Sequence, residues 1–244
     1  MSLPNTLSPA PLPFVATITN VREVSLYGSA DLNFWRRAIQ HEDLEPFPVD
    51  GRAQFLISSI QAKFMGLTFR ELVFSLLVRE PQTDSPIPAA YLTQAFHSLR
   101  AFAWIERTLF KTPYVFAKLQ VDIEPTPRIR LGSGAAELFA AISTRDNAAR
   151  TSPEELEEQS WTGPIYIPSR ADQPPAARKL FYAHLGGKTA CYPFDSQRDQ
   201  LALNPDARWP ILGQLKDSNF TGTMWQIRTN ATHARSKTAP RMAQ

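Results

Sequence analysis

The 244-residue chain contains a single cysteine, Cys191, which excludes an intramolecular disulfide and a cysteine-built metal cluster. Charge of neither sign dominates. The 26 basic and 23 acidic residues leave a net charge of +3, and no Arg/Lys cluster alternates with aromatics, so no nucleic-acid partner is expected. No apolar run approaches the ~18 residues of a membrane helix, so no membrane partner is expected either. The histidines at 41, 97, 184 and 233 lack ligand spacing, which argues against a metal site. No Gly-x-Ser-x-Gly elbow occurs, and the glycines of GSGAAELF (132–139), read as preceding a helix-like stretch, lack the lysine and spacing of a phosphate loop. The N-terminal MSLPNTLSPAPLPF has four prolines but no basic stretch followed by an apolar one. It is expected to be a polyproline-like arm (1–14) rather than a secretory signal, and the expected location is cytoplasmic.

What is present is an ordinary globular composition, 43% hydrophobic and 20% charged, enough for one core. Ser29 or Asp31 caps a short helix that puts Leu32, Trp35 and Ile39 on one face. AQFLISSIQA (53–62) and LTFRELVFSLLVR (67–79), joined across Gly66, read as an antiparallel pair. Leu92, Phe96, Leu99 and Ala103 follow 3–4 spacing and predict a long helix over 89–110 that Pro113 stops. Strands are expected at 114–123, 127–132, 163–169, 180–194 and 220–230. Ser152 and Pro153 predict a helix start at 151–159. Gly186-Gly187 marks a bulge or a close approach, and 233–244 reads as a basic, frayed tail beyond a single domain at 15–232. The fold class expected is α+β around a barrel or curved sheet.

Residues 27–122 resemble the acetoacetate decarboxylase superfamily. The resemblance rests on Leu44-Glu45-Pro46, Asp50-Gly51, Phe69-Arg70-Glu71-Leu72, and ERTLFKTPYVFAKLQVD, which matches the family pattern at Arg107, Pro113 and Ala117 with Asp122 in place of a glutamate. It implies a cone-like antiparallel β-barrel with a central pocket. In that family the first lysine after the proline forms a Schiff base, and its neighbouring lysine lowers its pKa, a familiar case of an amine activated by a second cation. Tyr114 and Val115 stand at those two positions, and neither side chain forms an imine. The family's pocket glutamate on the preceding strand falls near Leu56, and its arginine near the first strand has Arg22 as the nearest candidate. Lys111 lies in the turn, and Lys118 lies ~13 Å along the strand from Tyr114 at about 3.3 Å per residue.

Glu71 lies in an apolar strand, where a carboxylate is costly unless paired. It fits either a general acid–base with a raised pKa or a structural ion pair with an arginine such as Arg107. Tyr114 fits an oxyanion donor or a pocket-filling aromatic. His97 borders the apolar stripe, Trp225 lies on a closing strand, and Arg228 beside it suits bidentate carboxylate binding or an outward charge. The expectation is therefore a lyase-type enzyme using non-imine acid–base chemistry on a small oxo-acid or enolisable carbonyl compound. Glu71 and Tyr114 are the expected catalytic residues, and Arg22, His97, Arg107 and Trp225 the expected substrate-binding ones. The alternative is a catalytically inactive small-molecule-binding protein on the same fold. No cofactor is expected, the partner is a small-molecule ligand or substrate, and a homo-oligomer is compatible with the resemblance.

Overall fold

The computed structural model describes residues 13–81, 87–124, 126–133, 136–144, 156–169 and 178–241. In chain order it runs β1 (Phe14–Asp31), α1 (Leu32–Ala38), β2 (Glu45–Pro46), β3 (Pro48–Val49), β4 (Arg52–Phe64), β5 (Leu67–Arg79) and β6 (Ala89–His97). There follow α2 (Arg100–Ile105), a wider π-type turn (Glu106–Phe110), β7 (Tyr114–Phe116), β8 (Lys118–Asp122), β9 (Arg128–Ser133) and β10 (Ala136–Ile142). The chain continues with β11 (Glu157–Ile167), β12 (Lys179–Pro193), β13 (Gln200–Leu203), α3 (Pro210–Asp217), β14 (Thr221–Ser236) and β15 (Ala239–Pro240). Among the described residues no helix is long and apolar enough to cross a membrane.

Strand pairing runs β5–β4–β1–β14–β12–β11–β6 and returns from β6 to β5, so these strands close a ring of hydrogen-bonded neighbours. All contacts in the ring are antiparallel except β11–β6, which is parallel. A second sheet, β13–β10–β9–β8, packs outside it. The main core lies between the two: Val24, Leu26, Ile57, Leu72, Phe74 and Phe96 from the ring meet Val121, Ile129, Leu131 and Phe139 of the second sheet. The ring is thus buried on its outer face, and its inner face is left to line a cavity.

Local chemistry explains the elements. Asp31 caps α1 by accepting a hydrogen bond from Phe34 N at 2.5 Å, and Trp35 and Ile39 bury as expected. The β4–β5 hairpin turns on Met65 and Gly66, both with positive φ (50° and 83°), the conformation that tight two-residue hairpins require. At Gly187, φ is 147° and an added Cβ would lie 3.1 Å from the Asn230 carbonyl oxygen and Ala231 Cα; β12 shifts register there, so the glycine pair does mark a bulge with close backbone approach.

Several expectations are corrected. Residues 89–97 form a central strand, not the first half of a long helix; only Arg100–Ile105 is α-helical. Thr93 is an extra residue opposite β5, between the Leu92–Ser75 and Gln94–Phe74 pairs. That bulge offsets the two-residue alternation by one, and both faces of β6 are buried, so the pattern mimics helical spacing. The strand expected at 114–123 is broken at Ala117: β7 pairs with β6 in the ring, and β8 pairs with β9 in the second sheet. Residues 136–142 are a strand rather than a helix-like stretch. Of the helix expected at 151–159, residues 157–159 begin β11 and 151–155 lie outside the described residues, as does the arm through residue 12. Of the frayed tail expected at 233–244, residues 242–244 lie outside the described residues and the rest is ordered, mostly into strands. His233–Ser236 completes β14, and Ala239–Pro240 pairs with β12.

Candidate active site in the cavity inside the ring

The inner faces of the ring strands, together with α2 and the π-type turn, enclose a cavity of about 500 Å³. Its wall is mostly apolar and includes Ile18, Phe64, Phe69, Phe102, Phe110, Trp161 and Phe181. Two polar centres interrupt it.

The first is built on Glu71. Pairing aligns Ile60, Glu71 and His97 across β4, β5 and β6, and directly opposed residues point to one face. The Tyr114 hydroxyl donates to Glu71 Oε2 at 3.1 Å. His97 Nε2 stands 3.5 Å from Glu71 Oε1. His97 Nδ1 accepts the Leu99 N–H at 2.9 Å, which assigns the neutral ring's proton to Nε2, facing Glu71. The imidazole is clamped between the rings of Phe69 and Phe102, at centroid distances of 5.1 and 5.3 Å.

Burial disfavours the charged form of both partners. Burial, reinforced by the Glu106 carboxylate, pushes Glu71 up to about 7 against the opposing pull of Tyr114 and Arg235. Burial pulls His97 down to about 4. With the imidazole neutral near pH 7, their contact is not an ion pair in either state of Glu71. Burial and the neighbouring Glu71 and Glu106 hold the Tyr114 phenol well above its usual value, so it remains a hydrogen-bond donor.

Behind this group, Arg235 Nη1 pairs with Glu106 Oε1 at 2.6 Å, and Thr112 Oγ1 donates to Glu106 Oε2 at 2.9 Å. The Arg235 guanidinium lies over the Phe110 and Phe181 rings at 4.8 and 4.3 Å. Its Nε and Nη2 are buried without a hydrogen-bond partner among the described residues.

The second centre is built on Glu23 of β1. Arg228 Nη1 donates to both Glu23 oxygens (3.0 and 2.9 Å), His233 Nε2 lies 3.0 Å from Oε2, and Ser25 Oγ donates to Oε1 at 2.8 Å. Burial alone would raise the Glu23 pKa. Arg228, His233 and Ser25 outweigh it and hold the carboxyl far below the usual range. Arg228 Nε is fixed by Thr189 at 2.9 Å.

Of the residues expected at a site, Glu71, Tyr114 and His97 converge. Arg22 and Arg107 are exposed, and neither lines the cavity among the described residues; alternation along β1 sends Arg22 outward while Glu23 points in. Trp225 is fully buried on the outer face of β14, donating to Asp199 Oδ2 at 2.9 Å, whereas Gln226 and Arg228 face the cavity. Arg228 is thus inward, but paired. No lysine lines the cavity among the described residues. Lys111 takes the left-handed conformation after the π-type turn, and Lys118 is exposed on the second sheet. Sequence reasoning misses Glu23, Glu106, Arg235 and His233. For Glu23 a signal exists: in the β-rich run VREVSLY it shares a strand face with Ser25 and Tyr27, while Arg22 falls on the other.

No family model matches the sequence, and no curated protein matches it. Solved structures do. The chain is similar to the acetoacetate decarboxylase of Legionella pneumophila subsp. pneumophila (16% identity, TM-score 0.62, covering 100% of this chain and 92% of that one). It is also similar to an acetoacetate decarboxylase-like enzyme of Sphingomonas wittichii RW1 (12%, TM-score 0.60, 100% of both chains). A third is the enduracididine biosynthesis enzyme MppR complexed with the condensation product of pyruvate and imidazole 4-carboxaldehyde (14%, TM-score 0.55, 96% of both chains). The chain has the fold of the acetoacetate decarboxylase superfamily, as the motif resemblance implied.

Proposed function

We propose that the closed ring is the cone-like β-barrel of this fold and that the cavity carries out acid–base chemistry on an enolisable carbonyl compound without an imine. The observation that carries this is the Tyr114–Glu71 hydrogen bond of 3.1 Å inside an apolar cavity, with Glu71 raised to about 7. A carboxyl poised near neutrality suits proton transfer in both directions. In its ionised form Glu71 takes a proton from the carbon next to the substrate carbonyl. The C–H electron pair moves into a new C=C bond, and the carbonyl oxygen becomes an enolate. Tyr114, turning its hydroxyl from Glu71 to that oxygen, donates to the developing charge. Return of the proton gives exchange at that carbon, whereas expulsion of a β-leaving group, which departs with its bonding pair as the C=O re-forms and a C=C remains, gives a lyase-type elimination. His97 positions Glu71 and stays neutral.

The Tyr114 and Val115 side chains and a wall without lysine among the described residues support chemistry that does not pass through a Schiff base. The same observation favours the second reading, a binding protein that has lost catalysis. The MppR complex with a pyruvate condensation product supports small-molecule binding under either reading. The test is solvent-deuterium exchange at the α-carbon of an enolisable diketone, followed by NMR, with borohydride added in parallel. Exchange without a reduced adduct is the expected result. A stable adduct on any lysine overturns the non-imine chemistry, and no exchange leaves the binding protein.

A further inference from the structure

Charge on the cavity wall narrows what the cavity accepts. Each arginine there already has a carboxylate: Arg228 holds Glu23 at 2.9 Å and Arg235 holds Glu106 at 2.6 Å. The His97 imidazole is neutral. Among the described residues, then, the wall offers an anionic ligand no unpaired cation. A substrate carboxylate entering would be stripped of water without a counter-ion, or would have to displace a buried one, and both are costly.

Size points the same way. A volume of about 500 Å³ lies within the range that encloses drug-sized ligands, and a small oxo-acid would leave most of the aromatic wall facing water.

The wall also carries polar atoms that the Glu71 centre does not use. Glu23 and Tyr27 line the cavity from β1, on the face that alternation shares with the fully buried Ser25, with Ser58 opposite Ser25 and Leu56 opposite Tyr27. The Tyr27 hydroxyl and Arg228 Nη2 make no hydrogen bond among the described residues, although both residues line the cavity. Tyr27, on β1, lies two strands from β5 and on the row of Ser75, four residues along from Glu71, and Arg228, on β14, lies three strands from Glu71, roughly 14 Å at the ordinary strand spacing.

Resting on the acid–base reading above, we propose that the substrate is a neutral, mainly apolar carbonyl compound of drug-like size. Its enolisable carbonyl lies at Tyr114 and Glu71, and a hydroxyl or amide at its far end is held by Tyr27 and Arg228. The small oxo-acids drop out of the substrate class. The Tyr27–Arg228 wall is a specificity subsite that takes no part in proton transfer.

The test is calorimetric titration of the full chain with dibenzoylmethane, its mono-para-hydroxyl derivative and acetoacetate. The hydroxylated diketone is expected to bind about a hundredfold more tightly than acetoacetate, from the apolar area it buries, and about fivefold more tightly than its parent, one net hydrogen bond. Tyr27→Phe is expected to abolish that fivefold preference while leaving the parent diketone's affinity in place. Should that variant not fold, the para-methoxy diketone on the wild-type chain makes the same comparison and is expected to lose the gain. Acetoacetate binding as tightly as the diketones overturns the substrate class. A hydroxyl preference absent from the wild type, or intact in Tyr27→Phe, overturns the far subsite. α-Carbon exchange is read separately: diketone binding without exchange upholds the substrate class and rejects the acid–base reading, and exchange of acetoacetate without diketone binding does the reverse.

Discussion

Glu23 and Glu71 lie on one cross-strand row, Arg228–Glu23–Ile60–Glu71–His97, with only Ile60 between them. Both face the same cavity, yet their carboxyls are shifted in opposite directions. Burial raises both, but Arg228 and His233 reverse it at Glu23, whereas at Glu71 no cation comes close enough to do so and Glu106 adds to it. One carboxylate is locked as a charge and the other is free to exchange a proton.

Tyr114→Phe removes the hydroxyl that, among the described residues, donates to Glu71. Its hydrogen bond lowers the Glu71 pKa, so the variant's Glu71 is expected to titrate above 7, moving the rise of the pH–rate profile to higher pH. The exchange rate at its optimum is expected to fall by roughly a hundredfold, the usual loss for an oxyanion donor. An unchanged profile would mean that Tyr114 only fills space.

Glu71 and His97 make opposing contributions to stability with pH. Between 4.5 and about 7 the unfolded Glu71 is ionised while the folded one keeps its proton. The folded state binds more protons there, so this group alone makes stability fall as pH rises. Between about 4 and 6.5 the unfolded His97 is protonated while the folded one is neutral, so it alone makes stability rise with pH. Near pH 5.5 the two nearly cancel. Glu71→Gln is expected to leave a rising slope and His97→Asn a falling one, each up to about 3 kcal/mol across its window, measured by urea unfolding at several pH values.

The Glu23–Arg228 pair is 1% and 5% exposed, so breaking it strands a buried charge. Arg228→Met is expected to cost ~3–5 kcal/mol in urea denaturation, and Arg228→Met with Glu23→Leu to recover much of that loss. Equal loss in both variants would count against the pair as the source.

How much of this is legible from the sequence follows from the range of each interaction. The β4–β5 hairpin, the Asp31 cap and the Glu71 strand are set by neighbours, and local patterning exposes them. Tyr114 can be found because a proline turn and a strand fix its place in a motif. Glu23 and Arg228 are 205 residues apart, and no periodicity links them. Arg235 lies in a segment whose composition suggests a tail, and only the pairing of β14 with β1 and β12 brings it to Glu106. β6 reads as a helix because a strand buried on both faces and bulged at Thr93 carries no clean alternation.

The most direct test of the central claim is the rate of α-carbon deuterium exchange in an enolisable diketone, compared between the wild-type chain and Glu71→Gln. Glutamine keeps the shape and the hydrogen bond to Tyr114 but gives up the proton-transfer site. The account predicts exchange by the wild type rising with pH through about 7, and a fall of about a thousandfold in the variant, within the usual contribution of a positioned base. Exchange in Glu71→Gln at the wild-type rate would contradict it.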